Sequence, residues 1–192
     1  MRMIMMNKDD IINRSEIYKK NAYNLLEKLN IASLPIDLDY ILQRLDIQKR
    51  EFDIFDEETY DYSGCISIVN SKARIEISPL DPDTRQRFTI AHEIGHYLYD
   101  FPENLNDVTK EDSRITDKKF YRGNKSDPKE VRANRFASQL LMPKDMVVSS
   151  AKEILDEHDE MEADLFTRKM AEIFNVSMQA MEIRLSQLGI IK

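Results

Sequence analysis

The sequence predicts an α+β fold: a mainly helical core, a small antiparallel sheet, and a C-terminal helical appendage of helix-turn-helix character. Three observations predict it. Apolar residues recur at helical spacing through most of the 192 residues, and a hydrophobic content of 42% suffices for one sound core and a small addition. Only two short segments, Ile66–Val69 and Arg74–Ile77, read as good strands, and the polar run Asn70–Ala73 between them suits a hairpin turn. The chain closes on two helical patterns, Leu165–Phe174 and Met178–Leu188, parted only by Asn175-Val176-Ser177. The expected division is an N-terminal helical segment over 1–34, a core over 35–156, and a C-terminal helical segment over 157–192 packed on that core.

Taken in order, Ser15–Asn30 places Ile17, Tyr18, Ala22, Leu25, Leu26 and Leu29 on one face, predicting a single helix with Ser15 as its cap. Beyond Pro35, Asp37 opens a short helix through Leu38, Ile41, Leu42 and Leu45. Ile47–Phe55 alternates weakly and reads as a strand, and Gly64 permits a bend before the hairpin. Pro79 and Pro82 break the chain, Asp83 is placed to cap the helix that follows, and Phe101-Pro102 ends it. Glu103–Ser126 is polar and charged without a period, as in a loop. Asp127 starts a helix carrying Val131, Ala133, Phe136, Ala137, Leu140 and Leu141 to a stop at Pro143. A helix over Asp145–Leu155 and a charged linker over 156–160 follow. Ser177 is the natural cap of the last helix and Gly189 its terminator.

Composition removes several classes of function. A net charge of −7 disfavours a broad phosphate-binding surface, so nucleic acid is not expected as a direct ligand. No stretch approaches the ~20 apolar residues of a membrane span. The Met-rich opening, Met1–Met6, is too short for a secretory leader. The single cysteine, Cys65, cannot form an internal disulfide and reads as a small buried strand residue, which fits a reducing, cytoplasmic setting.

The chemistry concentrates in His92-Glu93-Ile94-Gly95-His96. Histidines four apart share one helical face, so both rings reach a single cation. Glu93 points about 100° round the helix, where its carboxylate takes a water's proton instead of binding the metal. The flanking Ile90, Ala91, Ile94, Gly95 and Leu98 are apolar or small, so three polar groups are buried at a desolvation cost. Two histidines need a third ligand to make a catalytic zinc site. His158 is the only other histidine and lies in an acidic run suited to solvent. Glu130 heads a helix whose next turns carry Ala133 and Ala137, small enough for close helix approach. Glu130 also falls three residues after Asp127, where it would complete a capping box; ligand and cap are both open on these grounds. Asn134, one turn on, could accept a ring N–H from a ligand histidine.

Arg87–His96, followed by Glu130–Pro143 (Glu-Val-Arg-Ala-Asn-Arg-Phe-Ala-Ser-Gln-Leu-Leu-Met-Pro), resembles the ImmA/IrrE family of zinc metallopeptidases. That family pairs a His-Glu-x-x-His helix with a later Glu-x-x-Ala-Asn-x-Phe-Ala segment. Pro35–Leu38, Ser63-Gly64, Ile75–Ile77 and Ala171–Ser177 running to Leu188-Gly189 fit the same layout, so the match covers most of residues 35–190. The resemblance implies a zincin-like core, with Glu130 joining His92 and His96 on one Zn²⁺ and Glu93 as the proton acceptor. It also implies a protein substrate, usually a helix-turn-helix transcriptional repressor, whose cleavage derepresses mobile-element, phage-type or stress genes. Some members carry a further C-terminal sensory domain, for which this chain, ending at Lys192, is expected to have no room, leaving its trigger open. Tyr60, Tyr62, Tyr121 and Arg122 are candidates to stabilise the oxyanion, and the edge of the Ile66–Ile77 hairpin could receive an extended substrate.

Two other readings compete. A DNA-binding regulator is disfavoured because the Met178–Leu188 helix offers one cation, Arg184, beside Glu182. The other is a non-cleaving zincin-fold protein that binds its partner in a toxin–antitoxin-like pair.

Overall fold

The computed structural model describes residues 11–56, 59, 61–110, 113–118, 127–157 and 161–191. The predicted first helix is two: α1 (Arg14–Ile17) and α2 (Ala22–Lys28). The break has a tertiary cause. Lys19 turns to φ 54° and donates its N–H to Leu98 O at 3.1 Å, and Asn21 then caps α2 by accepting from Asn24 N. Ser15 lies inside α1, and Asn13 is the cap. Next come α3 (Leu38–Arg44), capped by Asp37 as expected, and β1 (Ile47–Glu51).

The hairpin of β2 (Tyr62–Val69) and β3 (Lys72–Ile77) forms antiparallel about Asn70 and Ser71, both at positive φ, as a two-residue turn requires. The expected antiparallel sheet is in fact mixed. Its order is β1-β3-β2-β4, with β1 parallel to β3 and β4 (Arg114–Lys118) antiparallel to β2. β4 falls in the stretch that reads as loop, because Ile115 is its only strongly apolar residue; pairing with β2 makes it a strand, not local pattern. Both hairpin strands are therefore interior, and neither has the open edge expected to receive a substrate. The edges are β1 and β4.

Ala73, Ile75 and Ile77 alternate inward along β3, with Ile66 and Ile68 on β2, and this face packs on α4 (Asp83–Tyr99). No side chain caps α4: Pro82 occupies the cap and Asp83 lies in the first turn. Its far end is held by α1, where Arg14 donates to Tyr97 O at 2.6 Å, Phe101 O at 3.1 Å and Pro102 O at 3.1 Å. Those bonds satisfy carbonyls that the helix leaves open. A single 3-10 turn at Leu105–Asp107 precedes β4.

α5 (Pro128–Leu141) makes the most extensive helix contact, against α4. The crossing is close at Gly95, where a Cβ would lie 3.1 Å from Ala133 Cα and 3.3 Å from Phe136 Cβ. Small residues here set the distance between the two backbones. α6 (Lys144–Glu157), α7 (Ala163–Phe174) and α8 (Met178–Gln187) complete the chain. Asn175 in the left-handed region ends α7, Ser177 caps α8 by accepting from Ala180 N, and Gly189 at φ 71° follows it. One apolar cluster runs from Ile12 to Leu185 and joins the N-terminal helices, sheet and C-terminal pair. Among the described residues no helix is long and apolar enough to cross a membrane.

Candidate metal centre

Every residue of α4 from Thr89 through Leu98 is buried, His92, Glu93 and His96 included. Helical spacing puts His92 and His96 one turn apart, with their Nε2 atoms 2.9 Å from each other. α5 meets them with its first turn. Asp127 caps the helix by accepting from Lys129 N at 2.8 Å, Pro128 opens it, and Glu130 projects toward α4. Glu130 Oε2 is 3.2 Å from His92 Nε2 and Oε1 is 3.3 Å from His96 Nε2. The carboxylate is thus directed at the imidazoles and not back at Asp127 N–H, and the capping-box alternative does not describe it.

These three donors lie within 4.8 Å of one another. A tetrahedral cation with nitrogen and oxygen ligands at ~2.0–2.1 Å has ligand–ligand edges of roughly 3.3 Å. The observed separations of 2.9–3.3 Å fit that geometry, and two imidazoles with one carboxylate form a donor set suited to a divalent metal.

The outer ring nitrogens are held as well. His92 Nδ1 lies 3.0 Å from Asn134 Oδ1, the contact the sequence suggested. His96 Nδ1 lies 2.7 Å from Asp100 Oδ2, and the other oxygen of Asp100 accepts from Arg132 of α5. When each Nδ1 carries its hydrogen, both Nε2 lone pairs face Glu130. Asp100 escaped the reading of the sequence, although its place four residues after His96 on the same helix was an available signal.

Without metal, hydrogen bonds and nearby charges shift the titration of His96, Glu130 and Asp100. Burial works to lower the His96 pKa, but hydrogen bonds to Asp100 and Glu130, with Glu93 nearby, outweigh it and raise it to about 9. Hydrogen bonds from His92 and His96 hold the Glu130 carboxyl well below the usual carboxylate range. Burial opposes ionisation of Asp100, yet its hydrogen bond with His96 and the charges of His96 and Arg132 keep it below its ordinary value.

Glu93 stands apart from the three donors and faces β2. The strand passes so closely that a Cβ on Gly64 would lie 2.2 Å from Thr89 Cγ2 and 3.0 Å from Glu93 Oε1. A glycine at 64 is therefore required by the contact, a stronger reason than the bend the sequence suggested. Glu93 is as fully buried as the two histidines and is not among the three converging donors.

Other candidates lie elsewhere. Burial raises the Cys65 thiol to about 11 against the opposing effect of Arg114, whose Nε donates to Cys65 Sγ at 3.0 Å. A protonated, buried thiol is a strand residue and not a nucleophile. Tyr62 is in β2, its ring 6.3 Å from that of Phe52. Tyr60, Tyr121, Arg122 and His158 lie outside the described residues. Arg184 of α8 is 8% exposed and donates Nε to Met142 O at 3.0 Å, so the one cation available for DNA on that helix is turned into the protein.

Comparison with curated proteins finds no match. The family model of the IrrE N-terminal-like domain, Peptidase_M78, matches residues 42–186, from the end of α3 through α8 and including both ligand-bearing helices. With three quarters of its length matched and its fold built around that helix pair, this chain belongs to the Peptidase_M78, IrrE N-terminal-like, family.

Proposed function

We propose that this chain is a zinc-dependent endopeptidase that cleaves a cognate helix-turn-helix transcriptional repressor and so derepresses mobile-element, phage-type or stress genes. One observation carries the reading: His92, His96 and Glu130 converge from two helices while Glu93 is buried beside them against β2. Zinc held by His92, His96 and Glu130 would supply Lewis-acid polarisation of the scissile carbonyl and of water. Glu93 takes a proton from water and returns it to the leaving amine. Asn134 and Asp100 fix the rings so that their inner nitrogens stay available. An extended substrate adds along β4, an edge strand whose partner β2 carries Gly64 past Glu93.

The family supports a protein substrate. A net charge of −7 favours approach by a basic, DNA-binding partner, and the buried Arg184 argues for a helix pair that seats a protein and not a duplex. A single cysteine supports a cytoplasmic setting.

The test is zinc bound per chain, by elemental analysis after dialysis against a slight excess of zinc, with His92→Ala beside the unaltered protein. Zinc-loaded protein is then incubated with a purified candidate repressor. About one zinc per chain, absent from His92→Ala, with cleavage abolished in Glu93→Gln, supports the reading. Absence of site-dependent zinc sinks it.

A further inference from the structure

The geometry points to Asp100 and Arg132 as positioning residues that tie the two ligand helices together and so set the affinity of the site for its metal. The inference rests on the metal-centre reading above and adds the device that holds the third ligand in register.

Asp100 caps the C-terminus of α4, four residues after His96, and its side chain is 2% exposed. Its carboxylate has two partners on two helices. One oxygen lies 2.7 Å from His96 Nδ1, and the other accepts from the Arg132 guanidinium. Arg132 lies two residues beyond Glu130 on α5, so one carboxylate links the turn bearing His96 to the turn bearing Glu130.

The helices make an extensive contact, close at Gly95 against Ala133 and Phe136. Small residues at that crossing fix the distance between backbones, while polar side chains orient the ligand atoms. The tie through Asp100 adds a polar attachment at the His96 end of that contact. The Arg132 guanidinium also lies over the Tyr99 ring, 5.1 Å from its centroid, which keeps the guanidinium beside Asp100. With both attachments in place, the ring of His96 and the carboxylate of Glu130 are oriented by one network. His92 is held by Asn134, also on α5, which ties the helices at the other ligand ring without touching Asp100 or Arg132.

A merely stabilising ion pair would change the melting temperature and leave metal binding alone. The decisive readout is therefore the zinc dissociation constant, from competition with a chromogenic chelator, for the full chain and for Arg132→Met, Asp100→Ala and the double variant. Arg132→Met keeps an apolar side chain of similar length and removes the charged head, with both its bond to Asp100 and its place over Tyr99. Asp100→Ala should weaken zinc by about 10–100-fold, the range seen when a partner of a metal-bound histidine is removed. Arg132→Met should weaken it by roughly 5–20-fold, and the double variant should be no weaker than Asp100→Ala, because Arg132 acts through Asp100. Arg132→Met with unchanged zinc affinity, or two effects that simply add, overturns the tie while the metal-centre reading stands.

A second measurement does not need the metal. In the metal-free protein the His96 Nδ1–H resonance should be sharp and shifted downfield, and should broaden in Arg132→Met. A protein that binds no site-dependent zinc defeats the metal-centre reading. In that case an Nδ1–H resonance unaltered by Arg132→Met defeats the tie as well.

Discussion

Helices α4 and α8 both bury polar groups, and to opposite ends. In α4, His92 and His96 turn inward from successive turns toward a carboxylate from another helix, and Glu93 is buried beside them. In α8 the one buried cation, Arg184, meets a backbone carbonyl, Met142 O, at the end of α5. Burial of a charged or titratable group costs free energy in both places. What differs is the partner. A group that satisfies an open helix carbonyl is scaffold, whereas three side chains converging on one small volume, with their outer atoms also held, form a site. A buried polar residue therefore does not by itself mark function; convergence of several does.

The comparison yields graded tests. The largest effect should come from Glu93→Gln. On the proposed function, cleavage of the candidate repressor should fall about 10²–10⁴-fold, the usual contribution of a positioned proton acceptor, while site-dependent zinc stays at about one per chain. Loss of zinc along with activity would make Glu93 part of the scaffold and erase the distinction drawn within α4.

Gly64→Val should come next. The added side chain meets the Thr89 methyl and the Glu93 carboxylate, so chemical denaturation should show a loss of about 1–3 kcal/mol, and cleavage should fall because Glu93 is displaced. Unchanged stability would mean that β2 does not press on Glu93.

The metal-free protein offers a pH test of the cluster. His96 is raised from an ordinary 6.5 to about 9, so its protonated form stabilises the fold; that contribution is complete below about 6.5 and is lost as pH rises through about 9. Glu130 acts in the opposite range: its depressed pKa contributes above ordinary carboxylate values and is lost in acid. Thermal melts of metal-free protein should thus weaken as pH rises above about 6.5 and again in acid below the ordinary carboxylate range. His96→Ala should remove the alkaline limb. Zinc must displace the His96 proton, so zinc affinity should rise with pH up to about 9. A flat profile from pH 6.5 to 9 would count against the raised His96 pKa.

The smallest effect belongs to α8. Arg184→Met should cost about 1 kcal/mol, the scale of one hydrogen bond to a carbonyl, and leave zinc affinity untouched. A measurable change in zinc binding would link the C-terminal pair to the centre and blur the contrast.

Much of this was readable from the chain because it depends on spacing along one element. Histidines four apart on a helix must share a face, Asp37, Asp127 and Ser177 could act as caps from their own positions, and Asn-Ser between alternating strands made a turn. Errors arose where a distant partner decided the outcome. Lys19 broke the first helix because Leu98 O accepts its N–H, and Arg114–Lys118 became a strand because β2 had an edge to fill. The parallel seat of β1 beside β3 has no local signal either.

The sequence by itself determined most of the helices after Pro35, the histidine pair and the candidate third ligand, since periodicity and residue chemistry act within a few residues. Only the tertiary structure decided that Glu130 faces the histidines instead of its own cap, and that Asp100 and Arg132 bridge two helices. It alone made Gly64 necessary for steric reasons. The physical reason is that hydrogen-bond direction and close packing are set across space, where the separation between Glu130 and His96 along the chain carries no information.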